Sequence, residues 1–233
     1  MAPEGKPDFY ASYGDLKSYR TPTLRKKHIE RFDQAFWRPA VCAPEMSVLD
    51  LGCGLGSFLL YLRAKGVGDF LGVDQDPNLE PHIPAEVRDR FRVADVWDFL
   101  GGKAGGRRFD RIALFDVLEH FSPEEGFHLL SGLKGILAPG GRIVVRVPNA
   151  ESPWGAKIQF GDLTHKAAYT PGSIRQLAIA AGLDCTRCLP YVQARGPRRY
   201  LDAALNAAFS ACLETRPDIW SATFVAVFAP PEA

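Results

Sequence analysis

Two acids and two histidines are the side chains of this sequence best equipped for proton or metal chemistry. Asp116, Glu119 and His120 fall together in Asp116-Val117-Leu118-Glu119-His120, at the end of the apolar run 109–116. His165 comes much later, in Gly161-Asp162-Leu163-Thr164-His165, inside a long stretch without helical or strand periodicity. An imidazole titrates near neutral pH, so His120 is suited to act as a general base. The same four residues also form an oxygen and nitrogen ligand set that suits a divalent cation with open positions, Mg²⁺ or Mn²⁺. A third reading is structural: Glu119 and His120 cap and solvate the start of a helix. The sequence leaves all three open, with His120, His165 and Glu119 as the catalytic candidates and Asp116 joining them as a metal ligand.

A second feature is the stretch Val48-Leu49-Asp50-Leu51-Gly52-Cys53-Gly54-Leu55-Gly56-Ser57-Phe58. An apolar strand runs into it, a helical pattern leaves it, and glycines stand where a backbone must turn tightly and lie close to a ligand. Asp74 ends the next apolar run, where an acid can hold ribose hydroxyls. The third glycine comes one residue too early for the dinucleotide spacing, and Ser57 stands where that pattern needs Gly or Ala. The acid leading into the loop, Asp50, suits an amine-bearing ligand better than a diphosphate.

The elements that must position these groups alternate in type. Short apolar runs at 47–51, 70–74, 91–95, 109–116 and 142–147 lie between helical stretches, at the spacing of βαβ units. Runs that are apolar on both faces suit a parallel sheet covered on both sides. Thr21-Pro22 predicts a helix start, with Leu24, Ile29, Phe32 and Phe36 on one face and the Arg25-Lys26-Lys27 run solvated on the other. Pro139-Gly140-Gly141 predicts a turn between a helix at 123–137 and the strand at 142–147. A long loop (148–170), a helix (171–181), a strand (184–192), an amphipathic helix (198–214) and a closing strand (222–229) complete a single-domain pattern.

The totals agree with a cytoplasmic enzyme. The chain has 233 residues, 46% hydrophobic and 24% charged, and a net charge of +1, so no overall field favours nucleic acid. The N-terminal residues are polar and lack a signal-peptide core. Five scattered cysteines (Cys42, Cys53, Cys185, Cys188, Cys212) fit reduced thiols. Cys185 and Cys188 have redox or zinc spacing, but inside a strand they are read as packing thiols. His82 and His128 are read as structural.

Taken in order, LDLGCGLGSF, GVDQD, VADVWDF, FDRIALFDVLEHF and LAPGGRIVVRVPN resemble the successive motifs of class I S-adenosylmethionine-dependent methyltransferases over about 47–230. The resemblance implies an α/β fold: a Rossmann-like, seven-stranded, mostly parallel sheet with the last strand antiparallel and helices on both faces. It implies S-adenosylmethionine as cofactor, with Asp50, Gly52, Gly54 and Gly56 around its methionine end. Asp74 would then take the ribose hydroxyls, Asp95 and Val96 would meet the adenine, and the backbone near Phe115 and Asp116 would approach the amino-acid moiety. Asp95 also has a plainer reading as a turn-capping acid. Residues 1–40 would form an arm and helix over the cofactor edge.

The acid, acid-histidine pair and distant histidine resemble the metal pattern of small-RNA 2′-O-methyltransferases, though Asp116 stands where those enzymes carry Glu and their added domains are missing. Ubiquinone-pathway O-methyltransferases share the LEH core. The later segments, PNAESP, GDLTH and the basic-then-apolar helix, resemble bacterial methyltransferases of surface-polysaccharide and glycolipid assembly, which implies a sugar or glycan hydroxyl as acceptor. Loop 148–170 is then the substrate loop, with Trp154, Phe160 and Tyr169 for stacking and Asn149, Gln159 and Asp162 for hydrogen bonds. A quinone, phenol or secondary metabolite is the alternative acceptor, and a silent cofactor-binding protein the alternative class. Helix 198–214, with Arg195, Arg198 and Arg199 ahead of the Leu201, Leu205, Phe209 and Leu213 stripe, is expected to pack on the sheet. A dimer face or the inner membrane surface are its other uses.

Overall fold

The computed structural model describes Phe9, residues 19–193 and residues 196–231. The rest of the N-terminal arm (1–8 and 10–18) and Arg195 of the basic cluster lie outside the described residues.

Seven strands make one sheet: β1 (Val48–Leu51), β2 (Phe70–Asp74), β3 (Phe91–Val93), β4 (Phe109–Phe115), β5 (Leu137–Pro148), β6 (Asp184–Pro190) and β7 (Thr223–Ala229). Their order is β3-β2-β1-β4-β5-β7-β6. β1 to β5 are parallel, and β7 inserts antiparallel between β5 and β6. This is the Rossmann-like methyltransferase arrangement. The chain reverses direction of travel across the sheet at β1 and β4, and such a switch point leaves a crevice at the strands' carboxyl ends.

Alternate residues of the central strands feed the two faces, as the pleat requires. Ile112, Leu114, Ile143 and Val145 pack with Leu129, Leu130 and Leu133 of α3 (Pro123–Gly135) and Ile174 of α4 (Pro171–Ala180). Ala113, Val144, Val225 and Val227 pack on the other side with Phe58, Leu59 and Leu62 of α2 (Ser57–Ala64). The N-terminal α1 (Lys26–Phe32) runs on through a π-turn, Asp33–Trp37, to Arg38–Ala40. Phe32 and Phe36 pack there against Phe58 and Phe115, Phe36 edge to face with both, fastening this segment beside the glycine loop.

Three local expectations are corrected. Helix α1 starts at Lys26 after an extended Arg25, so Thr21-Pro22 belongs to the extended entry and not to the cap. Pro139-Gly140-Gly141 lies inside β5, because the ladder to β4 jumps from Phe109↔Leu137 to Arg111↔Arg142; the predicted turn is a bulge of three extra residues, with Gly140 at φ +71°. The amphipathic helix α5 (Pro197–Cys212) has no buried residue, and Tyr200 (77%), Leu201 (62%) and Leu205 (49%) are largely exposed. It touches the body through Phe209, which meets Trp154 and Trp220, and through Ser210, whose Oγ accepts from Trp220 Nε1 at 3.0 Å.

Cys185 and Cys188 lie in β6 as expected, but their spacing does not put them on opposite faces. A register slip around Thr186 pairs Cys185 with Phe228 and Cys188 with Ala226, two positions apart on β7. Both thiols therefore share one face, with sulfurs 3.5 Å apart and half-buried.

Candidate functional site

The glycine loop is built by backbone shape. Gly52, Gly54 and Gly56 hold φ of +73°, +51° and +78°, a region that favours glycine. Gly56 is the N-cap of α2, so the first free N–H groups of that helix open onto the loop. A Cβ on Gly52 would overlap Val117 Cγ2, whereas a Cβ on Gly54 would meet no described protein atom. Among the described residues, no side chain or backbone enters the open side of Gly54, which forms a cradle.

Two acids line this cradle. Asp74, at the end of β2, accepts from the Gly54 N–H at 2.8 Å and the Asp76 N–H at 3.1 Å. Asp50 is 2% exposed and its Oδ2 has no partner among the described residues. Burial, and next the charge of Asp74, push its carboxyl up to about 8, against the pull of Arg146. A buried acid with an orphan oxygen, at the foot of an open glycine loop, fits a ligand that brings a cationic amine. On the outer edge, Asp76 accepts from Tyr19 Oη at 2.6 Å, which ties residue 19 to the same rim.

The remaining cofactor candidates have structural partners. Asp95 caps the short helix Val96–Asp98, with its Oδ1 accepting from Trp97 N at 2.8 Å and Asp98 N at 3.3 Å. That is the capping role of the plainer reading, and Val96 follows it half-buried. Phe115 sits in the aromatic cluster, with the Arg146 guanidinium 5.0 Å over its ring.

At the end of β4 the acids and histidines separate into two groups. Asp116 takes a left-handed φ of +58°, and its carboxylate is gripped by both Nε and Nη2 of Arg146. It is outside the set whose ligand atoms converge, although its charge reaches Glu119 and His120. Glu119, His120 and His165 offer ligand atoms that all lie within 4.8 Å of one another. The loop reaches them through its backbone: Lys166 N and Ala167 N donate to Glu119 O at 2.8 and 3.1 Å. The loop thus folds over the strand-to-helix junction, and the His120 and His165 rings meet edge to face, 4.7 Å apart.

The electrostatics of this group follow from burial. Glu119 is 1% exposed, its Oε2 has no partner among the described residues, and burial followed by the charge of Asp116 pushes it up to about 8. Burial and then the adjacent His165 lower His120 below an ordinary imidazole, against the opposing effects of Asp162, the Thr164 backbone and Asp116. Thr164 Oγ1 lies 2.9 Å from His120 Nδ1 and donates to Asp162 Oδ1 at 2.6 Å. His165 Nδ1 lies 2.9 Å from the Gln159 carbonyl.

The expected acceptor contacts of the loop are largely redirected. Asn149 is fully buried, and its Nδ2 bonds Ile219 O and Ser221 O. Gln159 is 5% exposed and bonds Ala167 O, Tyr169 is buried, and Asp162 serves Thr164. These residues hold the loop's own shape. Trp154 (49%) and Phe160 (77%) keep exposed rings. Reading the sequence missed two partnerships: Arg146 on Asp116, and Thr164 with Asp162 beneath His120. The second left a signal, because Asp-x-Thr is a spacing that closes a turn on its own N–H.

The sheet order, the switch-point crevice and the glycine cradle together define a Rossmann-like methyltransferase fold. The methyltransferase-domain family model matches residues 19–187, and the chain belongs to that family. An uncharacterised methyltransferase of Synechocystis sp. is 27% identical over 135 residues, 58% of this chain; the match spans 62% of that protein's length. Among solved structures, an S-adenosylmethionine-dependent methyltransferase from Archaeoglobus fulgidus aligns with a TM-score of 0.66 at 18% identity, covering 95% of this chain and 99% of that one. The putative methyltransferase that pairs with the Trm112 activator of Haloferax volcanii aligns with a TM-score of 0.64 at 19% identity, covering 98% and 100%.

Proposed function

We propose that this protein is an S-adenosylmethionine-dependent O-methyltransferase whose acceptor is a hydroxyl of a sugar, glycan or glycolipid. Family membership and the fit of the cradle support the cofactor: Asp50 and the three glycines would hold the methionine end, and Asp74 the ribose. When bound, S-adenosylmethionine supplies an activated methyl on a sulfonium. The chain's own work is then to orient the acceptor and remove its proton, and His120 is the group for that step.

The observation that carries the choice of acceptor is the polar company of His120. Glu119, Thr164, Asp162 and His165 surround it. A wholly apolar pocket there would favour a quinone or phenol acceptor instead. Trp154 and Phe160 supply exposed rings for stacking on a sugar face. No helix among the described residues is long and apolar enough to cross a membrane, so a lipid-linked acceptor would be met at a surface.

A metal-assisted variant is favoured by one specific observation, the clustering of Glu119, His120 and His165 with the orphan Glu119 Oε2. These residues suit a divalent cation such as Mg²⁺ or Mn²⁺, which would lower the pKa of an acceptor hydroxyl when bound. Asp116, committed to Arg146, is outside that set. The test is calorimetric titration with S-adenosylmethionine, then turnover on sugars and on phenols, each with and without EDTA. Micromolar cofactor binding with sugar turnover is expected. Turnover on phenols alone overturns the acceptor, and loss of activity in EDTA with recovery in Mg²⁺ or Mn²⁺ selects the metal-assisted variant.

A further inference from the structure

Thr164 has a single hydroxyl proton and two close neighbours. One is Asp162 Oδ1 at 2.6 Å, which also accepts the Thr164 N–H at 3.0 Å. The other is His120 Nδ1 at 2.9 Å. An ionised carboxylate only accepts, so the hydroxyl proton is committed to it. Burial opposes ionisation of Asp162, yet the bonds from the Thr164 side chain and N–H outweigh it and hold the carboxyl below its usual value. The Thr164 oxygen is left to accept, and His120 Nδ1 must be the nitrogen that donates to it.

We propose that Asp162 and Thr164 are positioning residues that hold neutral His120 in its Nδ1–H tautomer, so that Nε2 carries the lone pair. Free histidine in water prefers the opposite tautomer, so an unsupported His120 would present its lone pair at the wrong nitrogen for much of the time. Thr164 is 6% exposed, and the loop carrying it is pinned to Glu119 O two residues further on, so the relay is set by the fold. His165 obeys the same logic, since the Gln159 carbonyl can only accept and so draws its proton to Nδ1. Both rings therefore place their lone pair on Nε2. The role given to this relay rests on the proposed part of His120 in methyl transfer, but the tautomer can be read without any turnover.

The experiment is long-range ¹H–¹⁵N correlation of the histidine rings at a pH where His120 is neutral, on the parent, Thr164→Ser, Thr164→Val and Asp162→Ala, with a His120→Gln spectrum for assignment. The parent and Thr164→Ser should show a protonated Nδ1 and an unprotonated Nε2 for His120. Thr164→Val and Asp162→Ala should move the ring towards Nε2–H and lower kcat on the order of 10–100-fold, with cofactor Kd unchanged. Thr164→Val is close in shape to the parent, and Asp162→Ala stands in should it fail to fold. A parent ring with Nε2–H, or variants that leave the tautomer unmoved, overturns the relay. Parental turnover in His120→Gln overturns the role of His120 instead, an outcome the spectra separate from failure of the relay.

Discussion

The glycine cradle and the histidine cluster lie at the same edge of the sheet, yet they are assembled by different means. In the cradle, backbone conformation is the site: three left-handed glycines fix the path, and Gly54 is open because it has no side chain. The ligand groups there come from the ends of adjacent parallel strands, β1 and β2. In the cluster, side chains are the site. They come from a junction and a distant loop, joined by two backbone bonds to Glu119 O and by the Thr164 hydroxyl. A site made of backbone tolerates no Cβ and recurs with the fold. A site made of side chains on a loop is free to change its chemistry while the sheet stays the same.

Variants that silence one region and spare the other test this division. The largest effect is expected from His120→Ala, on the order of 10²–10⁴ in kcat, with the Kd for S-adenosylmethionine within about twofold of the parent by titration. A matching loss of cofactor affinity would show that the two regions are not separable. Next comes the cradle: Asp74→Ala should weaken cofactor binding by about 1.5–3 kcal/mol, roughly 10- to 100-fold in Kd, because a charged hydrogen-bond partner is lost. Gly54→Val should block binding and also cost stability, since its Cβ meets no described protein atom but a φ of +51° strains a β-branched residue.

A smaller effect concerns pH. Asp50 has its folded pKa raised to about 8, so between the ordinary carboxylate range and pH 8 the folded state holds a proton that the unfolded chain has released. That contribution to stability is complete below the unfolded pKa and is lost as pH rises through 8. Asp50→Asn should therefore flatten the decline of Tm between pH 5 and 8 and raise Tm relative to the parent at pH 8, while abolishing cofactor binding. An unchanged pH profile would remove Asp50 as the source. The smallest effect belongs to a region outside the comparison: Leu205→Asp on exposed α5 should shift stability by no more than about 0.5 kcal/mol, measured by urea denaturation.

The same contrast explains what was legible in the sequence. Strand runs and the glycine loop were visible because each is written locally, as apolar runs or as glycine where φ must be positive, whereas the sheet's make-up came only through the family resemblance. Asp50 and Asp74 could be singled out because they flank such marks. The junction of Glu119, His120 and His165 could be suspected from residue type, but Asp116 could not be separated from it. That separation depends on Arg146, thirty positions away on the neighbouring strand, and on a left-handed turn at a non-glycine residue. Asn149 looked like a ligand-binding group and is a strut of the loop, because long loops must satisfy their own buried backbone; Gln159 does the same through Nε2, while its buried Oε1 has no partner among the described residues. Helix α5 misled for the opposite reason: an apolar stripe announces a face, not what covers it.

The contact between Gly52 and Val117 makes one side-chain volume answer to both regions. Val117 fills the space that a methyl at 52 would need, and it lies two residues before Glu119 and three before His120. These two positions should therefore not vary independently. Val117→Ala ought to be mild alone, Gly52→Ala severe, and the double variant better than the glycine change by itself, with a residual deficit from the positive φ. In a library randomised at both sites, survivors should be correlated pairs, and the correlation would link the cofactor loop to the turn that carries the proposed base.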